Sequence, residues 1–186
     1  MHKLYYADTF HHVYNRGTLR SDIFFDEDDY DYSLNRIDKF KNKYDVKLLC
    51  YCLMRNHFHF FLKQTKDNLT IGKFIGDLQN GHTKFINKKY QRTGVFFEGP
   101  AKSKFLSDKT YHEWLIEYIM LNPVIAGLSD KAENWKYSTA HEIANDKFNM
   151  LTDIDELVTI FGSIEKVKEK IKNLDMTDDF DKSGLF

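Results

Sequence analysis

Two histidines separated by one residue, His57 and His59, are the side chains of this sequence best placed to do chemistry. They lie in residues 56–61 (NHFHFF), an alternation that is typical of a β-strand. On a strand both histidines point to the same face, with Cα atoms about 6.5–7 Å apart. Two imidazoles in this arrangement can bind one metal ion from the same side. Ordinary half-exposed strand histidines would give the same pattern, because the spacing alone is a weak signal.

Two cysteines just before the histidines offer a rival metal site. Cys50 and Cys52 together with the imidazoles would suit zinc, which binds thiolate and histidine ligands. That site depends on the register of the strand pair. A three-residue turn over 54–56 predicts that the cysteines lie opposite Phe58 and Phe60, on the core face and away from the histidines. We therefore expect buried, inert thiols in preference to a structural zinc site.

A tyrosine and an asparagine form a second chemical pair. Tyr118 and Asn122 are four residues apart, and residues 111–121 predict a helix, so the two side chains share one face. A tyrosine hydroxyl can act as a nucleophile, and an amide oxygen can bind a hard cation. Packing against Trp114 on an amphipathic helix would equally explain a tyrosine at position 118. Pro123 predicts that the helix ends here, in which case Asn122 would satisfy the helix end instead.

The elements that must position these residues follow a simple order. They are a strand at 8–15, a helix at about 27–43, strands at 46–53 and 57–63, a helix at about 70–90, an extended segment at 95–106 and the helix at 111–121. The two middle strands are separated by only three residues, which predicts an antiparallel hairpin. The whole order predicts an α+β fold, with an antiparallel sheet and helices on one face.

Composition predicts one folded core with a short extension. Of the 186 residues, 42% are hydrophobic and 16% are aromatic, which excludes intrinsic disorder as the main description. The composition shifts near residue 147, and we predict a main domain over 1–146 and a helical C-terminal extension over 147–186. Residues 151–186 carry a net charge of −4, which argues against phosphate binding by the extension.

Positive charge is concentrated in one stretch of the chain. The formal net charge is −1, which argues against a generic nucleic-acid coat, yet residues 81–110 carry a local charge of +5. Basic side chains share a face of the predicted 70–90 helix and continue into the segment after it. We expect five of them to contact phosphate groups: Lys73, Lys84, Lys88, Lys102 and Lys104.

Sequence features also bear on the compartment. No apolar run approaches the roughly 18 residues that span a bilayer, and the start of the chain lacks the basic-then-apolar pattern of a signal peptide. Cysteines two residues apart on a strand cannot easily bridge each other, so no disulfide framework is implied. We therefore expect a cytoplasmic protein without membrane segments.

Four short motifs resemble one family of DNA-processing enzymes. Residues 53–59 (LMRNHFH) and 118–128 (YIMLNPVIAGL) closely resemble the HUH-type single-tyrosine transposases, and the nearest match is the REP-associated tyrosine transposase branch. Residues 12–17 (HVYNRG) resemble the opening strand of that family, and residues 135–138 (WKYS) resemble its aromatic-serine segment. The resemblance covers roughly residues 8–140, and the motifs occur in the family's order.

The resemblance implies a fold, an activity and a cofactor. It implies a ferredoxin-like sheet that presents His57 and His59, and a helix that presents Tyr118 as the nucleophile. A divalent metal, Mg or Mn, would lie between them, with Asn122 completing the metal site. Members cut single-stranded DNA beside a hairpin, leave a 5′-phosphotyrosine and a free 3′-OH, and can rejoin strands. Relatives include dimers that swap their tyrosine helices and chains that act alone, so the resemblance does not decide whether this chain forms a homodimer.

The sequence departs from the family pattern at two places. Arg55 replaces a proline that is frequent before the Asn-His pair, and residues 99–102 (GPAK) replace an arginine followed by an aromatic residue. The second change affects a DNA-contacting loop, where Lys102 and Lys104 could substitute. The alternative function is a non-catalytic protein that binds DNA or RNA hairpins and retains the fold. The intact histidine pair and tyrosine argue against that alternative.

Overall fold

The computed structural model describes residues 6–67, 70–147 and 150–174. The strands in these residues are β1 (Thr9–Arg16), β2 (Val46–Met54), β3 (His57–Gln64) and β4 (Lys102–Leu106). The helices are α1 (Glu27–Tyr44), α2 (Thr70–Lys89), α3 (Thr110–Ile125), α4 (Thr139–Ala144), α5 (Ile154–Phe161) and α6 (Ile164–Asn173), with short 3₁₀ turns at Thr18–Arg20 and Ala132–Asn134. Within the described ranges, no helix combines the length and the apolar character needed to cross a membrane.

The four strands form one antiparallel sheet in the order β2-β3-β1-β4. The chain builds this sheet from two strand–helix–strand units, β1-α1-β2 and β3-α2-β4, which is the ferredoxin-like arrangement. The predicted α+β class is therefore confirmed, and so is the β2-β3 hairpin. Only the second half of the predicted extended segment at 95–106 forms a strand, β4, at the edge of the sheet.

Helices cover both faces of the sheet, so the expectation that they lie on one face was wrong. α1 and α2 pack on one face with Val13, Phe60 and Leu62. α3, α5 and α6 pack on the other face with Met54 and Phe61. The cause lies in β2 and β3, whose residues are mostly buried whichever way they point. Strands that are apolar on both sides need a covering layer on each side.

The turn between β2 and β3 differs from the prediction. It contains two residues instead of three, so Met54 pairs with His57 and Cys52 pairs with His59. Cys50 is two residues from Cys52 on the same strand, so this register leaves both cysteines in the cluster on the face that carries His59. Both thiols are fully buried, and the described residues contain no group of three or more His, Cys, Asp or Glu side chains that could share a metal. The expectation that the cysteines lie away from the histidines was therefore wrong, whereas the expected burial of both thiols is confirmed.

The C-terminal helices share a core with the sheet. Residues after α3 cover the free edge of β2: the Leu53 N–H donates to the Tyr137 carbonyl at 3.0 Å, and the Asp153 N–H donates to the Leu48 carbonyl at 2.7 Å. Apolar side chains of α5 and α6 then pack in the same cluster as α3. The described part of the predicted extension thus contains two helices, α5 and α6, that pack with α3, and residues 148–149 and 175–186 lie outside the described ranges.

α3 continues past the position where the sequence predicted its end. Pro123 lies inside the helix, which extends to Ile125 and is followed by Gly127 at φ 68°. A proline inside a helix removes one hydrogen bond and disfavours the helical conformation before it. Here residues 118–123 are all buried, so their packing outweighs that cost. The helix end therefore falls at the glycine, whose positive φ suits a C-terminal cap.

Candidate active site

The histidine pair lies at the centre of the sheet. In β3, His57 pairs with Arg16 of β1 and His59 pairs with Tyr14, so the strand is held from both sides. The two imidazole rings are 5.0 Å apart between centroids and nearly perpendicular, at 88°. They share one face of the strand, as the alternation predicted, while Phe58 belongs to the core on the opposite face.

His59 is fully buried, and its two ring nitrogens differ in their surroundings. Nδ1 lies 2.9 Å from Nε2 of His12, a buried residue of β1. Nε2 has no hydrogen-bond partner among the described residues. Burial, together with the neighbouring His12 and His57, lowers the pKa of His59 well below its ordinary value. A neutral ring with one unpartnered nitrogen is suited to bind a cation.

His57 is half-buried at the edge of an open cleft. Its Nδ1 lies 2.6 Å from the side-chain oxygen of Asn56, the residue before it. Burial lowers the pKa of His57 to about 4, partly offset by a hydrogen bond with the Asn122 side chain. His57 is therefore also neutral at neutral pH.

α3 brings the predicted tyrosine against the histidines. The Tyr118 ring lies 5.8 Å from the His59 ring, edge to face, and stacks on Trp114 at 5.7 Å. Only 2% of Tyr118 is exposed. Burial raises the pKa of its hydroxyl, and a hydrogen bond with the Asn122 side chain partly offsets that rise. The tyrosine is thus protonated at neutral pH and close to both His59 and Asn122.

Asn122 joins the two chemical pairs. Its amide nitrogen donates to the Tyr118 carbonyl at 2.9 Å, and its side chain also makes the hydrogen bonds with the Tyr118 hydroxyl and with His57 described above. The structure thus shows Asn122 satisfying a backbone group of α3, and its role as a metal ligand stays a prediction. The amide nitrogen satisfies the backbone of α3, and the amide oxygen lies beside the His57 imidazole as its hydrogen-bond acceptor.

A cleft of about 610 Å³ is lined by His57, His59 and Asn122, and Tyr118 lies buried behind them. Its charged lining is mainly basic, with Glu98 paired to Arg16 as the one acidic member of the described lining. The lining residues are Tyr14, Asn15, Arg16, Arg20, Asn56, His57, Phe58, His59, Glu98, Lys102 and Asn122. An excess of positive charge beside polar and aromatic side chains suits a single-stranded nucleic acid.

The structure separates the five predicted lysines into two groups. Lys102 lines the cleft, and Lys104 pairs with His12 on the same side of the sheet. Burial, with the charge of Lys104, lowers the pKa of His12 to about 3. The other three predicted lysines belong to α2, which packs on the opposite face.

Three residues of β1 and the turn after it lie at the site although the sequence did not predict them there. His12, Arg16 and Arg20 approach the site only because β1 pairs with β3. Their signal in the sequence was indirect, since residues 12–17 (HVYNRG) carried a family resemblance without an assigned role. Local spacing could not show that these residues meet His57 and His59.

Comparison with known families identifies the chain. A family model described as "Transposase IS200 like" matches residues 5–121. The chain belongs to this family. The match includes the histidine pair and Tyr118, and it gives the IS200-like chain a transposase-type function as a DNA-processing enzyme. Comparison with curated protein sequences gives no match.

One solved structure supports the fold. An REP-associated tyrosine transposase bound to an REP hairpin aligns with a TM-score of 0.66 and 14% identity, over 81% of the IS200-like chain and 87% of the other. A candidate transposase from Deinococcus radiodurans R1 aligns with a TM-score of 0.45 and 13% identity, over 69% and 96% of the two chains. The first similarity supports the ferredoxin-like architecture with its C-terminal helices.

Proposed function

We propose that the chain cleaves and rejoins single-stranded DNA at hairpin-flanked sites through a 5′-phosphotyrosine on Tyr118. The observation that carries the proposal is that His57, His59 and Asn122 line one cleft, while Tyr118 is buried directly beside His59 and Asn122. These groups come from distant parts of the sequence, and packing alone does not require a nucleophile beside two neutral imidazoles.

The donor set fits a divalent cation such as Mg or Mn. His57 and His59 would supply imidazole nitrogens, and Asn122 would supply an amide oxygen. The fit rests on the buried, unpartnered Nε2 of His59. When bound, the cation would polarise the phosphate and offset its negative charge.

Tyr118 would supply the covalent step. Its hydroxyl oxygen attacks the phosphorus, a new O–P bond forms, and the bond from phosphorus to the 3′ oxygen breaks. The proton lost by the phenol is balanced by the proton that the released 3′-OH gains. Burial and the Asn122 hydrogen bond hold the hydroxyl in one orientation before attack. Because the link is a phosphodiester, a 3′-OH can attack it in turn and rejoin the strands.

The basic side of the cleft would hold the single strand. Arg16, Arg20 and Lys102 line it, and Lys104 lies on the same face. The proposal assigns the hairpin by analogy with the structurally similar transposase, which is bound to one. Contacts through Lys73, Lys84 and Lys88 stay a prediction and would require the DNA to reach the other side of the molecule.

One gel tests the proposal. A pool of single-stranded oligonucleotides, each with a hairpin flanked by random sequence and labelled at its 3′ end, is incubated with the chain and Mg²⁺ or Mn²⁺. We expect a labelled covalent adduct that EDTA prevents and that Tyr118→Phe lacks. Hairpin binding without any adduct would favour the non-catalytic alternative, and an adduct formed by Tyr118→Phe would exclude Tyr118 as the nucleophile.

A further inference from the structure

A second buried imidazole contacts one of the proposed metal ligands. His12, in β1, has no exposed surface, and its ring stacks on His59 with centroids 5.1 Å apart and planes within 18°. Its Nε2 lies 2.9 Å from Nδ1 of His59. This is a direct hydrogen bond between two rings inside the protein, and the mechanism above does not use it.

The direction of this hydrogen bond decides what His59 can do. If His59 Nδ1–H donates to His12, then Nε2 of His59 carries a lone pair and can bind a cation. If His12 donates instead, the proton of His59 lies on Nε2 and the ligand is blocked. The buried Nε2 of His59 has no other partner in the described parts of the chain, so nothing else selects between the two states.

Packing around the pair favours a fixed ring position. Tyr14 stacks on His59 with centroids 5.8 Å apart and lies 4.9 Å from the His12 ring. His12 also leaves its own Nδ1 buried without a partner among the described residues. A hydrophobic side chain at this position would avoid that cost. An imidazole here therefore indicates a requirement for its hydrogen bond with His59.

We propose that His12 is a positioning residue, which accepts the hydrogen bond from His59 Nδ1–H and so directs His59 Nε2 towards the metal. The inference rests on the metal site of the proposed function. His12 itself touches neither the DNA nor the cation in this scheme. A side chain with an acceptor at the same reach should replace it, and an apolar side chain of similar volume should not.

The first test needs no metal. Nitrogen-15 NMR of the histidine rings in the full chain reports which nitrogen carries the proton, and His59→Gln assigns the His59 signals. We expect His59 to be protonated at Nδ1 in the wild type and in His12→Gln, whose amide oxygen can accept. Protonation of His59 at Nε2 in the wild-type chain would overturn the proposal.

The second test measures Mn²⁺ affinity by calorimetry. We expect His12→Leu to weaken binding by about ten- to a hundred-fold, and His12→Gln to restore most of the loss. Circular dichroism and thermal unfolding establish that each variant is folded. Unchanged Mn²⁺ affinity in folded His12→Leu, or a loss in His12→Gln as large as in His12→Leu, would refute the positioning role. A wild-type chain that binds no Mn²⁺ would instead remove the metal site from the proposed function, and the positioning role with it.

Discussion

His59 and His82 are both buried histidines, one on each face of the same sheet, and their hydrogen bonds differ. His82 of α2 uses both ring nitrogens: Nδ1 lies 2.9 Å from Ser33 Oγ, and Nε2 lies 2.6 Å from the Ile23 carbonyl. His59 uses Nδ1 with His12 and leaves Nε2 without a partner among the described residues. Burial lowers the pKa of both rings.

The comparison separates burial from function. A lowered pKa follows from the removal of either ring from water, so it does not tell the two histidines apart. The unpartnered Nε2 of His59 distinguishes the two residues, because a buried polar atom without a partner is costly unless something binds there. The α1/α2 face uses His82 to join α2 to the loop before α1. The α3 face leaves the buried Nε2 of His59 unpartnered beside a cleft.

The largest effect is expected from Tyr118→Phe. This variant keeps the ring and its stacking on Trp114 but lacks the nucleophilic oxygen. Cleavage of a labelled hairpin substrate should fall by on the order of 10³-fold or more, with DNA affinity nearly unchanged. Trp114→Phe is the matched control, because it disturbs the stack and leaves the hydroxyl in place. Equal loss of cleavage in both variants would point to packing instead of chemistry.

Alanine at the two compared histidines should have opposite consequences. His59→Ala removes a proposed ligand, so metal-dependent cleavage should fall by about 10²-fold or more while the fold persists. His82→Ala breaks two buried hydrogen bonds and leaves a cavity, which should cost about 2–4 kcal/mol of unfolding free energy. Cleavage by the folded fraction should survive. Urea unfolding and single-turnover cleavage measure the two effects, and a similar loss of activity per folded molecule in both variants would contradict the comparison.

The stability of the chain should fall as the pH drops from about 6.5 to about 4. Burial lowers the pKa of His82 to about 4, whereas an unfolded histidine titrates near 6.5. The unfolded chain therefore binds the proton first, and the contribution of neutral His82 is complete above pH 6.5 and lost as the pH falls through its folded pKa. This contribution of His82 to the free energy of unfolding is about 3 kcal/mol. The free energy of unfolding, measured with urea at several pH values in this range, should fall less with decreasing pH in His82→Leu than in the wild type. The same pH dependence in both chains would rule out His82 as its cause.

Asn122 can be tested with two replacements. Asn122→Ala removes the amide oxygen and should reduce metal-dependent cleavage by roughly ten- to thirty-fold. Asn122→Asp keeps an oxygen ligand and should retain most cleavage. It also loses the donation to the Tyr118 carbonyl and places charge near the end of α3, at a cost of about 1 kcal/mol. Full activity in Asn122→Ala would end the ligand assignment.

The smallest effects concern DNA affinity on the two sides of the sheet. Reversing Arg20 and Lys102 together to Glu should weaken binding of the hairpin substrate by about ten-fold and reduce its salt dependence. Reversing Lys84 and Lys88 to Glu should have a smaller effect, because α2 covers the opposite face. Fluorescence anisotropy at several salt concentrations measures both. A larger effect from the α2 pair would mean that the DNA follows the other side of the molecule.

Local periodicity was sufficient to predict most of the strands and helices, and also the two pairs of site residues that each lie on a single element. The strand period of two put His57 and His59 on one face, and the helix period put Tyr118 beside Asn122, because each spacing repeats within a few residues. The strand and helix order likewise predicted the antiparallel α+β class. These features depend on neighbours along the chain, so the amino-acid sequence determines them by itself.

Only the tertiary structure decided which distant groups meet. The length of the turn after Met54 set the register of Cys52 opposite His59, and one residue more would have reversed the faces. Pairing of β1 with β3 brought His12 to His59, and packing of α2 on the far face separated its lysines from Lys102. α3 passed through Pro123 because burial there outweighs a local preference. Such contacts form between segments far apart in sequence, so the spacing of neighbouring residues cannot predict them.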